Sequence, residues 1–335
     1  METIRVSRHP GGVAEITLSR PEAMNAVSTA MAGELTRACT EIAAAPEVRV
    51  VVLSAAGERA FSAGADLKER AGMSDADILR QRHAIRAVFG AVLALPQPAV
   101  AAVHGFALGG GCELALSCDL VVADGTAVFG LPEVTVGLVP GGGGTQLALR
   151  RLGPGRAADL VLTGRRVGAE EADRLGLVDR RVAAGQDGPA ALELGGLIAA
   201  NSPVAVRAAK RALRHGWGVS LEAGLDVEDA AWRTAALSAD RREGIAAFVE
   251  KRKPVWPGEL SARSDYFPSF TVADRPSSWP LASLAVTAKY GPSEVTGIFV
   301  SKPCRGAEPA RTSPLGVLPA STVQVLTRVA PFQLA

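Results

Sequence analysis

Aromatic side chains are scarce in this chain: Phe, Trp and Tyr make up 4% of its 335 residues, although 48% are hydrophobic. Its core must therefore be filled mainly by Ala, Val, Leu and Ile. A strong charge imbalance is also missing, and the formal net of +2 gives no reason to expect nucleic acid as a partner. There are four cysteines, Cys39, Cys112, Cys118 and Cys304, with no CxxC pair and no Cys/His ligand set. That disfavours a metal site and leaves free thiols as the expectation. No apolar run is long enough to span a bilayer, and the start METIRVSRHPGG lacks the apolar segment of a secretory signal. These absences together predict a soluble cytoplasmic protein with no membrane attachment.

One absence is local and more informative. Between Ala87 and Leu149 there is no Lys or Arg, yet four acids stand there: Glu113, Asp119, Asp124 and Glu133. Their surroundings are Ala, Val, Leu and Gly. A buried carboxylate without a partner is costly, so these acids are expected to be hydrogen-bonded or functional. The CDL and ADG contexts of Asp119 and Asp124 read as strand-end and turn acids, which assigns them to structure.

The pattern along the chain is α/β. Ile4–Arg8 and Val13–Leu18 read as a hairpin around a Pro-Gly-Gly turn. Ser28 is placed to cap a helix reaching Ala45, and Val48–Ser54 is a short buried strand. Ala55–Leu67 reads as a Gly/Ala loop. Asp75–Leu95 has helical spacing ended by Pro96 and Pro98. Ala99–Val103, Leu120–Ala123 and Ala127–Phe129 read as strands, with a helix at Gly110–Ser117. From Thr145 onward helices dominate, broken by one strand at Leu177–Val182. Strands alternating with helices predict crossover connections and a parallel sheet. From about Gly258 the chain turns rich in Pro, Ser, Thr and Ala without periodicity, and reads as an extension without regular structure.

Two glycine-containing segments carry the chemistry. In Phe61-Ser62-Ala63-Gly64-Ala65-Asp66-Leu67 and in Leu108-Gly109-Gly110-Gly111-Cys112-Glu113-Leu114, small residues leave backbone N–H groups open to a ligand. The second leads into a helix, whose first N–H groups lack intrahelical acceptors. Two such donors aimed at one carbonyl make an oxyanion hole. Other motifs fare worse. PGGGGTQ at Pro140–Gln146 lacks the Lys-Ser/Thr of a phosphate-binding loop. His104 reads as structural, and Cys112 has no basic neighbour to activate it. Lys68–Arg86 is expected to roof a pocket, with Met73, Ile78 and Leu79 facing either that pocket or the core.

Taken in order, FSAGADL, AAVHGFALGGGCELALSCDLVVA, FGLPEVTVGLVPGGGGTQ, LTGRRVGAEEADRLGLVDRRV and DRREGIAAFVEKRKP resemble the crotonase (enoyl-CoA hydratase/isomerase) superfamily. The resemblance covers roughly Thr3 to Pro257 and stops before the tail. It implies a ββα spiral over residues 1–200, a helical trimerisation region over 201–257, and an extension outside the family over 258–335. It places the N–H groups of Ala65 and Gly110 in the oxyanion hole, and makes Glu113 and Glu133 the catalytic carboxylates. The implied enzyme is a 2-enoyl-CoA hydratase, a hydro-lyase making 3-hydroxyacyl-CoA. The alternatives are an enoyl-CoA isomerase and a non-catalytic acyl-CoA-binding homologue. CoA is then part of the substrate and no separate cofactor is required. Its expected contacts are Ala23, Met24, Ser62, Ala63, Ala65, Asp66, Leu67, Gly110, Phe248 and Lys251. Glu22 stands where many relatives carry Lys, a departure at the phosphate-binding edge. The resemblance also implies a homotrimer or homohexamer.

Overall fold

In the computed structural model, residues 1–259 are described throughout; beyond them only the backbones of 269–272, 283–290 and 293–300 are described. Met1–Ala262 form one compact unit and Arg263–Ala335 another.

The first unit is wound from a repeated strand–strand–helix turn. An antiparallel hairpin, β1 (Ile4–His9) and β2 (Val13–Leu18), opens it, followed by α1 (Thr29–Ala43). The first turn is β3 (Val50–Ala55), β4 (Ala60–Ser62), and the helices α2 (Leu67–Arg70) and α3 (Asp75–Ala94). The second is β5 (Ala99–Val103), β6 (Phe106–Leu108) and α4 (Gly110–Ser117). The third is β7 (Leu120–Asp124), β8 (Val128–Gly130), a 3-10 turn at Pro132–Val136, and α5 (Gly144–Leu152). Each turn gives its first strand to a larger sheet and its second to a smaller one. The larger sheet runs β1-β2-β3-β5-β7-β10 and the smaller β4-β6-β8-β9. Within each sheet the strands of successive turns pair in parallel. After α6 (Pro154–Thr163), β9 (Arg166–Gly168) closes the smaller sheet antiparallel to β8. Then α7 (Ala169–Leu175) leads to β10 (Arg180–Val182), which pairs in parallel with β7.

The apolar runs reflect this layering. All five residues of β5 are buried, as both faces of its sheet are covered. Val51, Leu53, Ala101 and Val103 face the main core with Phe61, Phe129 and α1. Val50, Val52, Val100 and Ala102 face α8 (Asp187–Ala199) through Ala191 and Ala199. Ser28 caps α1 as expected, accepting from the Met31 N–H, and Ser74 and Asp77 form a capping box on α3.

Three helices follow: α9 (Pro203–Gly216), α10 (Leu221–Ala236) and α11 (Ala239–Glu250). Asp119 ties α9 to the core. Its carboxylate accepts from Lys210 at 2.7 Å, from Arg214 at 2.7 Å and from the Ala99 N–H at 2.8 Å. The cation that its own stretch lacks thus arrives some ninety residues later. Asp124 accepts from the Thr126 N–H and hydroxyl and from the Gly185 N–H, closing two turns. Both acids are structural, as expected.

The differences from the sequence reading are short elements. The 55–67 segment, expected as loop, contains β4 and enters α2, and 106–108 and 166–168 add two more strands. Three-residue strands carry no periodicity to detect; their partners in the smaller sheet define them. In the extension expected to lack regular structure, Ser269–Val272, Ser283–Tyr290 and Ser293–Val300 form an antiparallel three-stranded sheet, β11-β12-β13. The rest of 260–335, Cys304 included, lies outside the described residues.

Removing one partner of a part-buried ion pair leaves the other charge uncompensated and costs roughly 3–5 kcal/mol. Asp119→Ala is expected to lose about 3 kcal/mol, read as a lower urea midpoint at fixed protein concentration.

Candidate active site

The two sheets converge on α4, which is buried along its whole length except at its first residue, Gly110. Gly109, at φ +51°, turns the chain from β6 into the helix. Gly111 packs so close to Ser62 that a Cβ there would run into the Ser62 carbonyl. Only glycine lets α4 approach β4 this closely.

That approach brings two backbone segments together. The Gly64 carbonyl accepts from the Val27 N–H and the Asp66 N–H donates to the Val27 carbonyl. Strand alternation then turns the Ala65 N–H to the opposite side, toward α4. A Cβ built on Gly110 would sit 3.5 Å from the Ala65 nitrogen, and one on Gly64 would sit 3.0 Å from the Gly110 nitrogen. Gly110 opens α4, so its N–H has no intrahelical acceptor. The two expected oxyanion donors are therefore neighbours.

Both glutamates reach the same cavity, of about 440 Å³, which is also lined by Ala63, Ala65, Gly110 and Phe89. Larger hollows exist among the described residues, one of about 820 Å³ beside α9, but Glu113 and Glu133 do not line it. Glu113, 3% exposed on α4, accepts through one oxygen from the Gly142 and Gly144 N–H groups, each at 2.7 Å. Burial raises its pKa, while those two bonds and the Arg82 charge oppose the rise. Glu133 lies in the 3-10 turn after β8. Its pKa is pushed up to about 7, chiefly by burial, with its own backbone N–H opposing and the Glu113 charge adding to the rise. Its Oε2 is buried with no hydrogen-bond partner among the described residues. Burial thus raises both acids, but Glu113 has donors that favour its ionised form, whereas Oε2 of Glu133 has none.

Glycines fit the walls to these acids. A Cβ at Gly144 would lie 2.9 Å from Glu113 Oε1, and one at Gly109 would lie 3.1 Å from Glu133 Oε1. A Cβ at Gly142 would run into the Phe89 ring. The sequence reading singled out Gly141 for close packing; Gly142 and Gly144 hold the carboxylate, and Gly141 lies against the Arg82 guanidinium.

The remaining expected contacts are distributed unevenly. Ala63, Ala65, Leu67 and Gly110 line the cavity. Ser62 does not: its side chain is fully buried, and its hydroxyl donates to the Asn25 carbonyl and accepts from the Gly64 N–H. Asp66 caps α2 and pairs with Arg20 at 3.0 Å. Ala23 and Met24 lie in the turn beside Ala63, whose N–H donates to the Met24 carbonyl. Phe248 and Lys251 do not line the cavity; Phe248 is 85% exposed beside Trp232 and Trp256, and Lys251 ends α11 in a left-handed conformation. Met73 and Leu79 are absent from the lining while Ile78 is present. Sequence reasoning missed Arg70, Arg82 and Arg166, which also line it. Helical spacing from Ile78 through Arg82, Ile85 and Phe89 was the available signal. His104, read as structural, pairs with Asp187 at 2.9 Å, far along the chain, and this raises its pKa.

This fold, with its stacked turns and paired acids at the sheet junction, is the crotonase fold. A crystal structure of enoyl-CoA hydratase from Bacillus anthracis matches with a TM-score of 0.75 at 44% identity, covering 77% of this chain and 100% of that one. Another, of enoyl-CoA hydratase from Mycobacterium tuberculosis H37Rv, matches at 0.71 and 34% identity, covering 77% and 100%. The enoyl-CoA hydratase/isomerase family profile matches residues 8–259, and the chain belongs to that family. Among curated relatives, YngF of Bacillus subtilis is 46% identical over 246 residues, 73% of this chain and 95% of its own. The mouse enoyl-CoA hydratase domain-containing protein 2, named as mitochondrial, is 42% identical over 252 residues, 74% of this chain and 85% of its own. No helix among the described residues is long and apolar enough to cross a membrane.

The raised pKa of Glu133 has a consequence for stability. A folded pKa near 7 against 4.5 unfolded means the folded state holds more protons between those values. Stability is therefore lost as pH rises through that window. Glu133→Gln removes the liability and is expected to melt above wild type at pH 8, with the difference closing near pH 4.

Proposed function

We propose that this enzyme adds water across the double bond of a trans-2-enoyl-CoA to give the 3-hydroxyacyl-CoA. The observation that carries this reading is the pair Glu113 and Glu133, a buried and a half-buried acid in one cavity beside the Ala65 and Gly110 donors, with backbone N–H groups bonded to the first and no partner among the described residues on Oε2 of the second.

In the proposed reaction the thioester oxygen accepts from the Ala65 and Gly110 N–H groups. Ionised Glu113 takes a proton from water as its oxygen bonds C3. The π electrons move toward the thioester and give an enolate-like oxyanion, which the two donors stabilise. Neutral Glu133 then delivers a proton to C2. Both carboxyls exchange protons with solvent to restore the starting state. Losing one oxyanion donor in such sites typically costs about 10²–10³ in rate. CoA is carried by the substrate, and no separate cofactor enters any step. Shifting a double bond requires one base and no bound water, so the second acid favours hydration over isomerisation. A purely acyl-CoA-binding role gives no reason to desolvate two acids at such cost.

Purified protein is expected to consume the enoyl-thioester absorbance of crotonyl-CoA or of a longer 2-enoyl-CoA, with 3-hydroxyacyl-CoA as the product. Shifted enoyl products would point to isomerisation instead. Glu113→Gln and Glu133→Gln should each lower kcat by at least about 10², the scale of one acid–base catalyst. The kcat profile should fall as pH rises through about 7, when Glu133 loses its proton. It should also fall at low pH, when Glu113 gains one. A profile flat across pH 6–9 counts against Glu133 as donor.

We further propose a homotrimer or homohexamer. Leu213, Trp217, Leu221 and Trp232 on and around α9 and α10 are all more than half exposed in the single chain, and burying such large apolar side chains between subunits would favour assembly. Light scattering should give a multiple of three chains, and a monomer at micromolar concentration would refute the assembly.

A further inference from the structure

The cavity lining contains a charge that the proposed hydration does not use. Along α3, Ile78, Arg82, Ile85 and Phe89 fall on one helical face and all line the cavity. Three of the four are apolar. Arg82 is half-buried, and its guanidinium lies against Gly141, so close that a Cβ there would be 3.4 Å from its central carbon. Its charge is near enough to Glu113 to oppose the effect of burial on that acid. Yet no carboxylate or hydrogen-bond acceptor among the described residues pairs with it. Arg70, a second guanidinium in the lining, bonds only a neutral partner, the Gln81 side-chain oxygen at 2.9 Å. On the same helix, Arg80, 72% exposed, pairs with Asp77.

A guanidinium in an apolar wall loses hydration and is stabilised when a ligand supplies an anion, for which its fork of donors is matched to a carboxylate. Among the described residues, neither catalytic acid makes an ion pair with it: Glu113 Oε1 accepts from two backbone donors, and Glu133 Oε2 has no partner. A purely hydrocarbon acyl chain would cover the half-buried Arg82 without supplying it a partner.

We propose that the acyl group this site accepts carries a terminal carboxylate, bound by Arg82, so that the substrate is the CoA thioester of an unsaturated dicarboxylic acid. This deepens the hydratase reading and rests on it for the double bond, but recognition of the carboxylate is measurable without catalysis.

The test compares two saturated, unreactive thioesters of matched length, glutaryl-CoA and pentanoyl-CoA, by calorimetry on the full chain. A charge-assisted pair predicts that glutaryl-CoA binds about tenfold to a hundredfold more tightly. Arg82→Met should collapse that ratio toward one, Arg82→Lys should retain part of it, and Arg80→Met should leave it intact. Equal or tighter binding of pentanoyl-CoA to the wild type overturns the proposal, even if no variant folds. An Arg82→Met variant that weakens free CoA as much as glutaryl-CoA also overturns it, because the guanidinium would then be holding a CoA phosphate. Turnover is read separately with glutaconyl-CoA and 2-pentenoyl-CoA. Hydration of 2-pentenoyl-CoA without any glutaryl preference sinks the carboxylate alone. A glutaryl preference without hydration of either enoyl thioester sinks the hydratase reading alone.

Discussion

A carboxylate at the centre of a domain keeps its charge only if donors replace the water it has lost. Glu113 has two, the N–H groups of Gly142 and Gly144, both on one oxygen. Much of the surrounding structure follows from that small contact. The donors come from the turn entering α5, in the third repeat, while the acceptor stands on α4, in the second. The turns must stack in register for the bonds to form. They must also stack without intervening side chains, because a Cβ at Gly144 would meet the carboxylate and one at Gly142 would meet Phe89. The glycine run at 141–144 fits a carboxylate, although it looks like a phosphate cradle.

The same close stacking separates the two acids chemically. Glu133 sits on a turn at the edge of the cavity, without equivalent donors for its Oε2, and beside another carboxylate. Burial therefore pushes its pKa well above that of an ordinary glutamate. Burial raises both acids, and the N–H groups of Gly142 and Gly144 oppose the rise at Glu113 where Glu133 has only its own backbone N–H. That asymmetry is what the proposed proton traffic uses. It is also a cost to folding that a neutral side chain at 133 would not carry.

Charge is brought into this apolar region only from a distance. Asp119 draws Lys210 and Arg214 from α9 and so fastens the helical end of the unit to the parallel sheet. Arg82 comes from α3 and remains without an acid partner among the described residues. The first is a structural clamp. The second presents a cation to the cavity, and the proposed substrate class turns on that difference.

Much of this was legible in the residues themselves. The cation-free interval of 87–149 pointed to Glu113 and Glu133, and the turn contexts of Asp119 and Asp124 set those two apart. Apolar runs at Val48–Ser54 and Ala99–Val103 marked buried strands, and Ser28 marked a helix start. Local chemistry specifies such features, so a single chain displays them. The three-residue strands at 60–62, 106–108 and 166–168 could not be read, because their partners in the smaller sheet define them. The engagement of Ser62 away from the cavity and the arrival of Arg82 beside Glu113 were equally hidden. Each depends on where one turn of the spiral lands on the next, and that distance is a property of packing between segments far apart in the chain.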